Sequence, residues 1–463
     1  MPGQEIDPRC IGIYTLFVIS YNKFGLQNIG ARWRTAAEVT QRDGSGSVGR
    51  RQGGDRITAA ERRAALSLGS IFGLRMIGLF MILPVFSLYA HRLEGYSPAL
   101  MGVAIGAYGL TQAIFQIPFG LLSDRLGRKR IIYVGLAIFA LGGVVAAQSD
   151  SIYGVIAGRA LQGTGAIAAA VMALLADLTR HRVRTKAMAI LGGSVGMSFT
   201  VALVLGPALN DSIGVPGIFW LTALLALLAI GVTRFVVPDP VESHFHVDSE
   251  PVPSQVSRVI TDPQLLRLDF GVFTLHVLIT ANFVVLPLLL RDTLQLPSPH
   301  HWWLYLPVLL LSVVAMLPII FVAERRNLVK PVFLGAILLM GVAETGLLVL
   351  HQQIYQVATL LFIFFTGFNL MEATLPSLIS RMAPPESKGT AMGIFSSSQF
   401  LGAFVGGAAG GWLLGIFDIG AVFAGCASMT LLWFAVASGM QTPEAAEAPR
   451  PSAGMMADEV LEE

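Results

Sequence analysis

Charged residues are scarce in this chain. Asp, Glu, Lys and Arg together make up 13% of its 463 residues, whereas soluble domains average about 25%. Hydrophobic residues make up 54%, and the mean hydropathy is +0.68. This composition excludes an ordinary soluble domain and indicates a polytopic membrane protein. The net charge of +2 argues neither for nor against nucleic-acid binding, and we expect no nucleic-acid partner for a membrane protein of this kind.

Cysteine is also sparse. The two cysteines, Cys10 and Cys426, cannot build a disulfide framework, and Cys426 lies in an apolar run. The sequence lacks a metal-spaced set of His and Cys, a phosphate-binding glycine loop and a nucleophile elbow. We therefore expect no enzyme, no metal site and no cofactor.

Long apolar runs are what the sequence has instead. About 20 apolar residues are enough to cross a bilayer as a helix. From Ala64 onward the pattern predicts an all-α protein with twelve transmembrane spans. The predicted limits are 66–90, 98–122, 131–149, 152–177, 186–210, 216–237, 268–291, 302–323, 331–350, 354–380, 388–416 and 419–440.

The longest polar break, Pro238–Asp262, follows span 6 and divides the spans into two groups of six. The predicted domains are an N-terminal extension (1–63), a six-helix bundle (64–237), a central linker (238–266), a second six-helix bundle (267–440) and an acidic tail (441–463). The extension is polar and rich in Gly and Arg, which predicts disorder. Its apolar stretch Ile11–Ser20 is too short to span. It has the length of a signal-peptide core, but no small-residue cleavage pattern follows, and we favour an extension without a role in transport.

Lys and Arg concentrate in the loops after spans 2, 4, 8 and 10. The opposite loops carry little beyond Arg92 and Arg291. The positive-inside rule therefore predicts that the basic loops, the linker and both termini lie in the cytoplasm.

The densest basic loop reads Gly120-Leu-Leu-Ser-Asp124-Arg125-Leu-Gly127-Arg128-Lys129-Arg130. Such a cluster cannot lie in hydrocarbon, so it must cap two spans on one side. We expect Gly120 to let span 2 turn out at its end, and Gly127 to adopt a backbone conformation that other residues resist. The spacing resembles the loop between helices 2 and 3 of major facilitator superfamily transporters, G-x-L-x-D-R-x-G-R-K. A basic loop that only sets topology is the alternative.

The resemblance implies a fold of two pseudosymmetric six-helix bundles with the substrate held between them. A weak echo of Thr185–Met188 at Gly389–Met392, the starts of spans 5 and 11, agrees with such a repeat. The resemblance also implies that Asp124 holds the N-terminal end of span 11 and that Arg128 pairs with Asp177. These contacts would form a latch that opens and closes; a static cap is the alternative.

Span 4 contains Arg159-Ala-Leu-Gln162-Gly163, which resembles the R-x-x-Q-G motif of the same superfamily. An arginine inside a span is costly unless it faces a polar cavity or a partner. By the resemblance, Arg159 helps proton transfer by tuning a nearby carboxylate. The alternative is a structural brace between helices 1 and 4.

Span 5 resembles the glycine-proline motif of proton-driven antiporters at Gly193, Gly206 and Pro207. Ala202 replaces one glycine of that motif, and Asn210-Asp211 stand where its last two glycines belong. The match favours export over import, with a plain packing motif as the alternative.

Ionisable groups deep in the spans are the candidates for proton coupling. We rank Glu372 in span 10 first and Glu344 in span 9 second, and Arg75 in span 1 is also deep. Asp269 and His276 share one face of span 7 and could join such a route, although Asp269 is better explained as an interfacial group. For Glu372 the alternative is permanent pairing with an arginine. For Glu344 a structural hydrogen bond is the preferred interpretation.

A sparsely polar, apolar cavity would suit amphipathic, drug-like molecules. Gln112 and Gln116 share a face of span 2 with Tyr108 and could line it. The other candidates are Asn282, Phe365, Phe368 and Asn369.

Three segments, Ser67–Pro84, Gly109–Gly120 and Phe368–Glu372, resemble the YajR branch of the superfamily. That branch consists of bacterial inner-membrane proteins treated as proton-driven drug exporters, which implies the same membrane here. Its namesake carries a soluble domain after span 12, whereas Gln441–Glu463 is a short acidic tail, so we expect regulation by such a domain to be absent or supplied differently.

The leading hypothesis is a monomeric secondary transporter that exchanges protons for small amphipathic molecules by alternating access, with membrane lipid as its surroundings. A proton-coupled importer of a nutrient or metabolite on the same fold is the second. A non-transporting membrane partner or sensor is the third, and the loop motif and deep carboxylates argue against it.

Overall fold

The computed structural model describes residues 57–239 and 253–441, and in these ranges the chain is helical apart from short turns and one isolated β-bridge between Glu94 and Ser151. The prediction for the N-terminal extension lies almost wholly outside the described residues, as do those for most of the acidic tail and for residues 240–252 of the linker. The helices that form the spans are Ala59–Phe80 and Leu83–Tyr89 (span 1), Pro98–Leu126 (span 2), Arg128–Ala147 (span 3), Ile152–Thr164 and Ala168–Asp177 (span 4), His181–Phe235 (spans 5 and 6), Pro263–Leu288 (span 7), Trp302–Arg325 (span 8), Val329–Val349 (span 9), Ile354–Met382 (span 10), Lys388–Ile416 (span 11) and Ile419–Ser438 (span 12).

Spans 5 and 6 are joined with almost no loop. Eleven helices in the described ranges are long and apolar enough to cross a membrane, and one of them contains both spans. Its backbone breaks at Gly214, where φ is 66° and ψ is 178°. Both arms then pack on span 1, since Ser198 Oγ donates to Gly73 O and Thr222 Oγ1 donates to Gly78 O, each at 3.0 Å. The prediction of twelve crossings is confirmed.

Several span limits differ from the sequence-based ones. Span 1 begins at Ala59 because Thr58 and Glu61 form a capping box that extends the helix ahead of its apolar part. Span 7 begins at Pro263, where the Asp262 side chain accepts from two backbone amides. A surface helix, Pro253–Thr261, precedes it and belongs to the linker.

The expectation for Gly120 is wrong. Span 2 continues as helix through Gly120 and Asp124 to Leu126, so the acidic residue of the loop motif lies in the last turn of the helix. Gly127 alone separates span 2 from span 3, and its φ of 97° is the positive-φ conformation expected for it.

The two halves meet most closely along spans 2 and 11. We call the end of the bundle that carries Arg125 and Arg128 the basic end, and the other the opposite end. Near the opposite end a Cβ at Gly102 would collide with the Gly407 carbonyl, and it would lie 2.8 Å from the Gly411 Cα. Closer to the basic end, Ser397 Oγ donates to Ala113 O across the halves at 3.3 Å. Because these residues are glycines, the backbones of spans 2 and 11 can contact each other directly, and this contact closes the opposite end.

Aromatic rings fill the space between the halves in the middle of the bundle. The ring centroid of Phe199 in span 5 lies 6.2 Å from that of Phe283 in span 7 and 6.4 Å from those of Phe365 and Phe368 in span 10. We call these four residues the aromatic cluster. Phe199 also contacts Phe80 of span 1 at 5.1 Å. The cluster joins one half to the other by apolar contact alone.

Candidate functional site

The loop between spans 2 and 3 is held by a buried arginine. Arg128, at the start of span 3, contacts the Asp124 carboxylate in the last turn of span 2, and its Nη1 donates to Ser123 Oγ at 2.8 Å. Its Nε lies 3.5 Å from Asp177 Oδ2 at the end of span 4, the pair that the resemblance implies. In this structure Asp124 is therefore engaged by its own loop rather than by Lys388–Met392 at the start of span 11.

Arg75 is fully buried and links spans 1, 2 and 4. Its Nη2 donates to Gln112 Oε1 at 2.8 Å and to Gly165 O at 3.0 Å. Its guanidinium carbon lies 5.6 Å from the ring centroid of Tyr108 and 5.1 Å from that of Phe139. Both rings therefore contribute cation–π attraction to a charge that has left water.

Arg159 stacks on the same tyrosine. Its guanidinium carbon is 5.4 Å from the Tyr108 centroid, Nη1 donates to Gln162 Oε1 at 3.0 Å, and Nη2 reaches Ile105 O at 3.4 Å. The sequence led us to expect a carboxylate beside Arg159 or a brace to span 1. Within the described residues its polar partners are a glutamine and a carbonyl, and the span it braces is span 2, because Ile105 and Tyr108 both lie there.

The glutamines of span 2 continue from this tyrosine. Tyr108 Oη donates to Gln112 Oε1 at 3.1 Å, and Gln112 Nε2 donates to Gln116 Oε1 at 2.7 Å. Both glutamines are buried, so in this conformation Gln112 holds Arg75 and Gln116 holds Gln112 instead of lining an open cavity. Phe400 of span 11 packs on the Tyr108 ring at 6.1 Å, which places the cluster at the boundary between the halves.

Span 10 brings Glu372 to a histidine. Glu372 Oε2 lies 4.0 Å from Nε2 of His276 in span 7, and 42% of the Glu372 side chain is exposed. The same Nε2 lies 2.8 Å from Nε2 of Gln399 in span 11, while His276 Nδ1 lies 3.0 Å from Val272 O. The neighbour of Glu372 is thus a histidine instead of the arginine that the alternative required.

Glu344 is fully buried in span 9 and paired with an amide. Asn282 Nδ2 of span 7 donates to Glu344 Oε1 at 2.6 Å. Glu344 Oε2 has no hydrogen-bond partner within the described ranges. Asn282, a candidate for the cavity, is buried and occupied by this bond, which is the structural hydrogen bond preferred for Glu344.

The remaining candidates are dispersed. Asp269 is 5% exposed, and neither of its carboxylate oxygens has a hydrogen-bond partner among the described residues, so it is more deeply enclosed than the interfacial group we expected. Asn369 Nδ2 donates to Ser312 Oγ at 2.9 Å. Phe365 belongs to the aromatic cluster and is 1% exposed.

The glycine-proline motif of span 5 packs at one end only. A Cβ at Gly206 would collide with the Met81 carbonyl, at the point where span 1 is interrupted before Pro84. A Cβ at Gly193 would meet nothing within 4 Å. Pro207 lies inside the helix.

Sequence reasoning missed Gln399, Phe199 and Phe400. Each lies on span 5 or span 11 and reaches a candidate residue on another span. A polar residue in an apolar span is the signal that could have found Gln399. The two phenylalanines give no such signal, since phenylalanine is common in every span.

The crossings and the loop motif now allow a comparison with known proteins. Residues 68–323 and 268–457 match the family described as Major Facilitator Superfamily. The chain belongs to this superfamily. Its members are transporters and not enzymes, so the protein is a multi-pass membrane transporter with two six-helix halves.

Relatives place it more closely within the Major Facilitator Superfamily. The chain is 50% identical over 388 residues to the inner membrane transport protein YajR of Escherichia coli (strain K12), covering 84% of this chain and 85% of YajR. It is 24% identical over 378 residues to the multidrug resistance protein MdtH of Cronobacter sakazakii, covering 77% of this chain and 88% of MdtH. The solved structure of the nucleoside transporter NupG superposes with a TM-score of 0.67 at 13% identity, covering 81% of this chain and 99% of NupG, and shows the shared fold.

Proposed function

We propose that this transporter exports small amphipathic molecules from the bacterial cytoplasm in exchange for protons, by alternating access. The observation that carries the proposal is the group formed by Glu372, His276 and Gln399. A partly exposed carboxylate in a span, placed beside a histidine instead of an arginine, can take up and release a proton.

The bonds of His276 suggest how a proton changes the protein. With Nδ1 donating to Val272 O, the neutral ring has a lone pair on Nε2 that accepts from the Gln399 amide. A protonated ring has no such lone pair, so the Gln399 NH2 group can no longer donate to Nε2, and the Nε2–H can instead donate to the Glu372 carboxylate 4.0 Å away. Gln399 lies on span 11, the helix that meets span 2 of the other half. Proton uptake would therefore break a hydrogen bond of span 11, one of the two helices through which the halves contact each other.

The basic end supplies the gate in this proposal. The positive-inside rule assigns that end to the cytoplasm. Asp124, engaged by Arg128 instead of span 11, represents the released latch, while the glycine contact near Gly102 closes the opposite end. When the halves rock, Asp124 would move to the N-terminal end of span 11, where the helix dipole stabilises a carboxylate.

Export and amphipathic substrates are supported by weaker arguments. MdtH, a distant relative, is described as a multidrug resistance protein. The aromatic cluster offers an apolar surface between the halves for a substrate's rings. Import of a nutrient or metabolite is the second candidate, favoured by Ala202 and Asn210-Asp211 where the antiporter motif has glycines.

Proton release from inverted membrane vesicles tests the proposal. Acidified vesicles that contain the protein receive a panel of lipophilic cations, organic anions and antibiotics, and the internal pH is followed. Wild type is compared with Glu372→Gln and with Glu386→Gln, a matched control whose carboxylate is 75% exposed outside the spans. We expect a substrate-dependent loss of internal protons in wild type and Glu386→Gln that is abolished in Glu372→Gln.

Two other results would change the proposed mechanism. A signal that survives in Glu372→Gln retains antiport and transfers the coupling role to Glu344. If no compound elicits a signal, while vesicles of either orientation accumulate a nutrient with protons moving in the same direction, import replaces export.

A further inference from the structure

Away from the ends of the described spans, charged residues are divided between the halves by sign. In the spans described, the deeply placed bases Arg75 and Arg159 lie in the N-terminal half, and the acids Asp269, Glu344 and Glu372 lie in the C-terminal half. The two arginines are 0% and 3% exposed, and neither forms an ion pair among the described residues. Two guanidinium charges in one apolar location, without an anion, are costly.

Their neutral partners leave part of each guanidinium unused. Nε and Nη1 of Arg75 and Nε of Arg159 are buried without a hydrogen-bond partner within the described ranges. A guanidinium presents five donors in a planar fork, which fits the two oxygens of a carboxylate or the three of a sulfonate. Both guanidinium carbons lie within 6 Å of the Tyr108 ring centroid, at 5.6 and 5.4 Å, so the two arginines contact the same ring.

The location is at the path between the halves. Tyr108 is covered from the C-terminal half by the Phe400 ring at 6.1 Å. Phe400 lies on span 11 next to Gln399, the residue that binds His276. A movement of span 11 away from span 2 would remove the Phe400 ring from Tyr108, which contacts both arginines.

We propose that Arg75 and Arg159 bind the acid group of the substrate, so that the molecules carried are amphipathic organic anions. This inference rests on the proposed transport function and specifies its substrate class. The acid group binds in the N-terminal half beside Tyr108, and the apolar part of the substrate faces the aromatic cluster. Protons bind separately, in the C-terminal half, so both can be bound at once without competing for one group.

Equilibrium binding in nanodiscs tests the site without any proton gradient. Three probes share one fluorophore and differ in charge: dansylglycine is an anion, dansylamide is neutral and dansylcadaverine is a cation. We expect wild type to bind dansylglycine about tenfold or more tightly than the other two, since hydrogen bonds between two charged groups are stronger than those to neutral groups. Arg75→Gln and Arg159→Gln should each reduce the affinity for dansylglycine to that for dansylamide.

Control variants separate charge from folding. Arg130→Gln removes one positive charge from the exposed basic end and should leave all three affinities unchanged. Arg75→Lys and Arg159→Lys keep the charge but lose the fork, and should retain a reduced preference for the anion. Gel filtration and the helical circular-dichroism signal identify any variant that has not folded. Where a glutamine variant does not fold, the affinity of the lysine variant at the same position decides whether that arginine binds the anion.

Several outcomes overturn the proposal. Equal wild-type affinity for dansylglycine and dansylamide contradicts it, as does a preference for the anion that persists in both glutamine variants. Displacement of dansylglycine by chloride at constant ionic strength would assign the site to a small inorganic anion instead of a substrate. Anion binding without proton release in the vesicle assay would refute the exporter but support the anion site. Proton release driven by cations alone would support the exporter but refute the anion site.

Discussion

Nε2 of His276 lies 4.0 Å from Oε2 of Glu372 and 2.8 Å from the side-chain nitrogen of Gln399. One ring nitrogen therefore faces an acid on span 10 and an amide on span 11. The amide suits the neutral ring and the acid suits the protonated ring, so the two protonation states favour different neighbours. This is the relationship on which proton coupling depends in the proposed mechanism.

His276→Gln tests that relationship. A glutamine can keep the hydrogen bond to Gln399 but cannot titrate, so we expect binding of substrate to persist while proton-driven transport falls about a hundredfold. Transport rates in vesicles and equilibrium substrate binding measure the two effects. A variant with the wild-type transport rate would reduce His276 to a packing residue.

Asp124→Asn tests the latch. The variant keeps the size of the side chain but loses the charge that the N-terminal end of span 11 would stabilise by about 1 kcal/mol, so we expect transport to fall about fivefold. The amount of protein in the membrane should not change, because Arg128 still has Asp177 beside it. Asp150→Asn, exposed at the opposite end, is the matched control. Unchanged turnover in Asp124→Asn would leave the loop a static cap.

Sequence alone predicted the parts of this protein that depend on local chemistry. The twelve crossings follow from the length of the apolar runs, and the positive φ of Gly127 follows from its place between two helices. Which side chains meet across spans was not predictable, because it depends on long-range packing. The contacts of Tyr108 with Arg75 and Arg159 join spans 1, 2 and 4, and the contact of Gln399 with His276 joins spans 7 and 11. Neither contact could be predicted from the spacing of its residues in the sequence.

Arg180→Gln tests the ion pair at the start of span 1 through its pH dependence. Arg180 Nε donates to Glu61 Oε1 at 2.8 Å at the basic end, ahead of the apolar part of the span, and holds the pKa of the Glu61 carboxyl well below its usual 4.5. A carboxyl with a lowered pKa stabilises the folded state above pH 4.5, and that contribution falls as the pH drops below 4.5.

We therefore expect Arg180→Gln to lower the unfolding free energy at pH 7 only slightly, because 46% of the Arg180 side chain is exposed and solvent screens the ion pair. The difference from wild type should shrink as the pH is lowered from 4.5 toward 3. Thermal unfolding in nanodiscs measures it, with Arg130→Gln at the same end as control. A difference that is constant with pH would show that Arg180 acts by packing and not through the Glu61 charge.

Gly102→Ala and Gly193→Ala form a matched pair that tests how the opposite end closes. A methyl group at Gly102 collides with the Gly407 carbonyl of span 11, whereas one at Gly193 meets nothing within 4 Å. Overpacking of this kind costs about 1–3 kcal/mol, so Gly102→Ala should shift the equilibrium away from the closed opposite end by about 5- to 150-fold. Gly193→Ala should stay within about twofold of the wild-type rate.

A cysteine at Ile105 reports the shift directly. Ile105 is 4% exposed beneath the closed opposite end, and with Cys10 and Cys426 replaced by serine it is the sole thiol for an impermeant maleimide. Labelling from the opposite side should be faster in Gly102→Ala than in wild type and unchanged in Gly193→Ala. Equal labelling of wild type and both variants would mean that spans 2 and 11 do not control access. A large loss of transport in Gly193→Ala would mean that Gly193 has a role in transport, although a Cβ there meets nothing in this structure. Either result would transfer the gate from the contact between spans 2 and 11 to span 5, since Gly206 of that motif presses on Met81 where span 1 is interrupted.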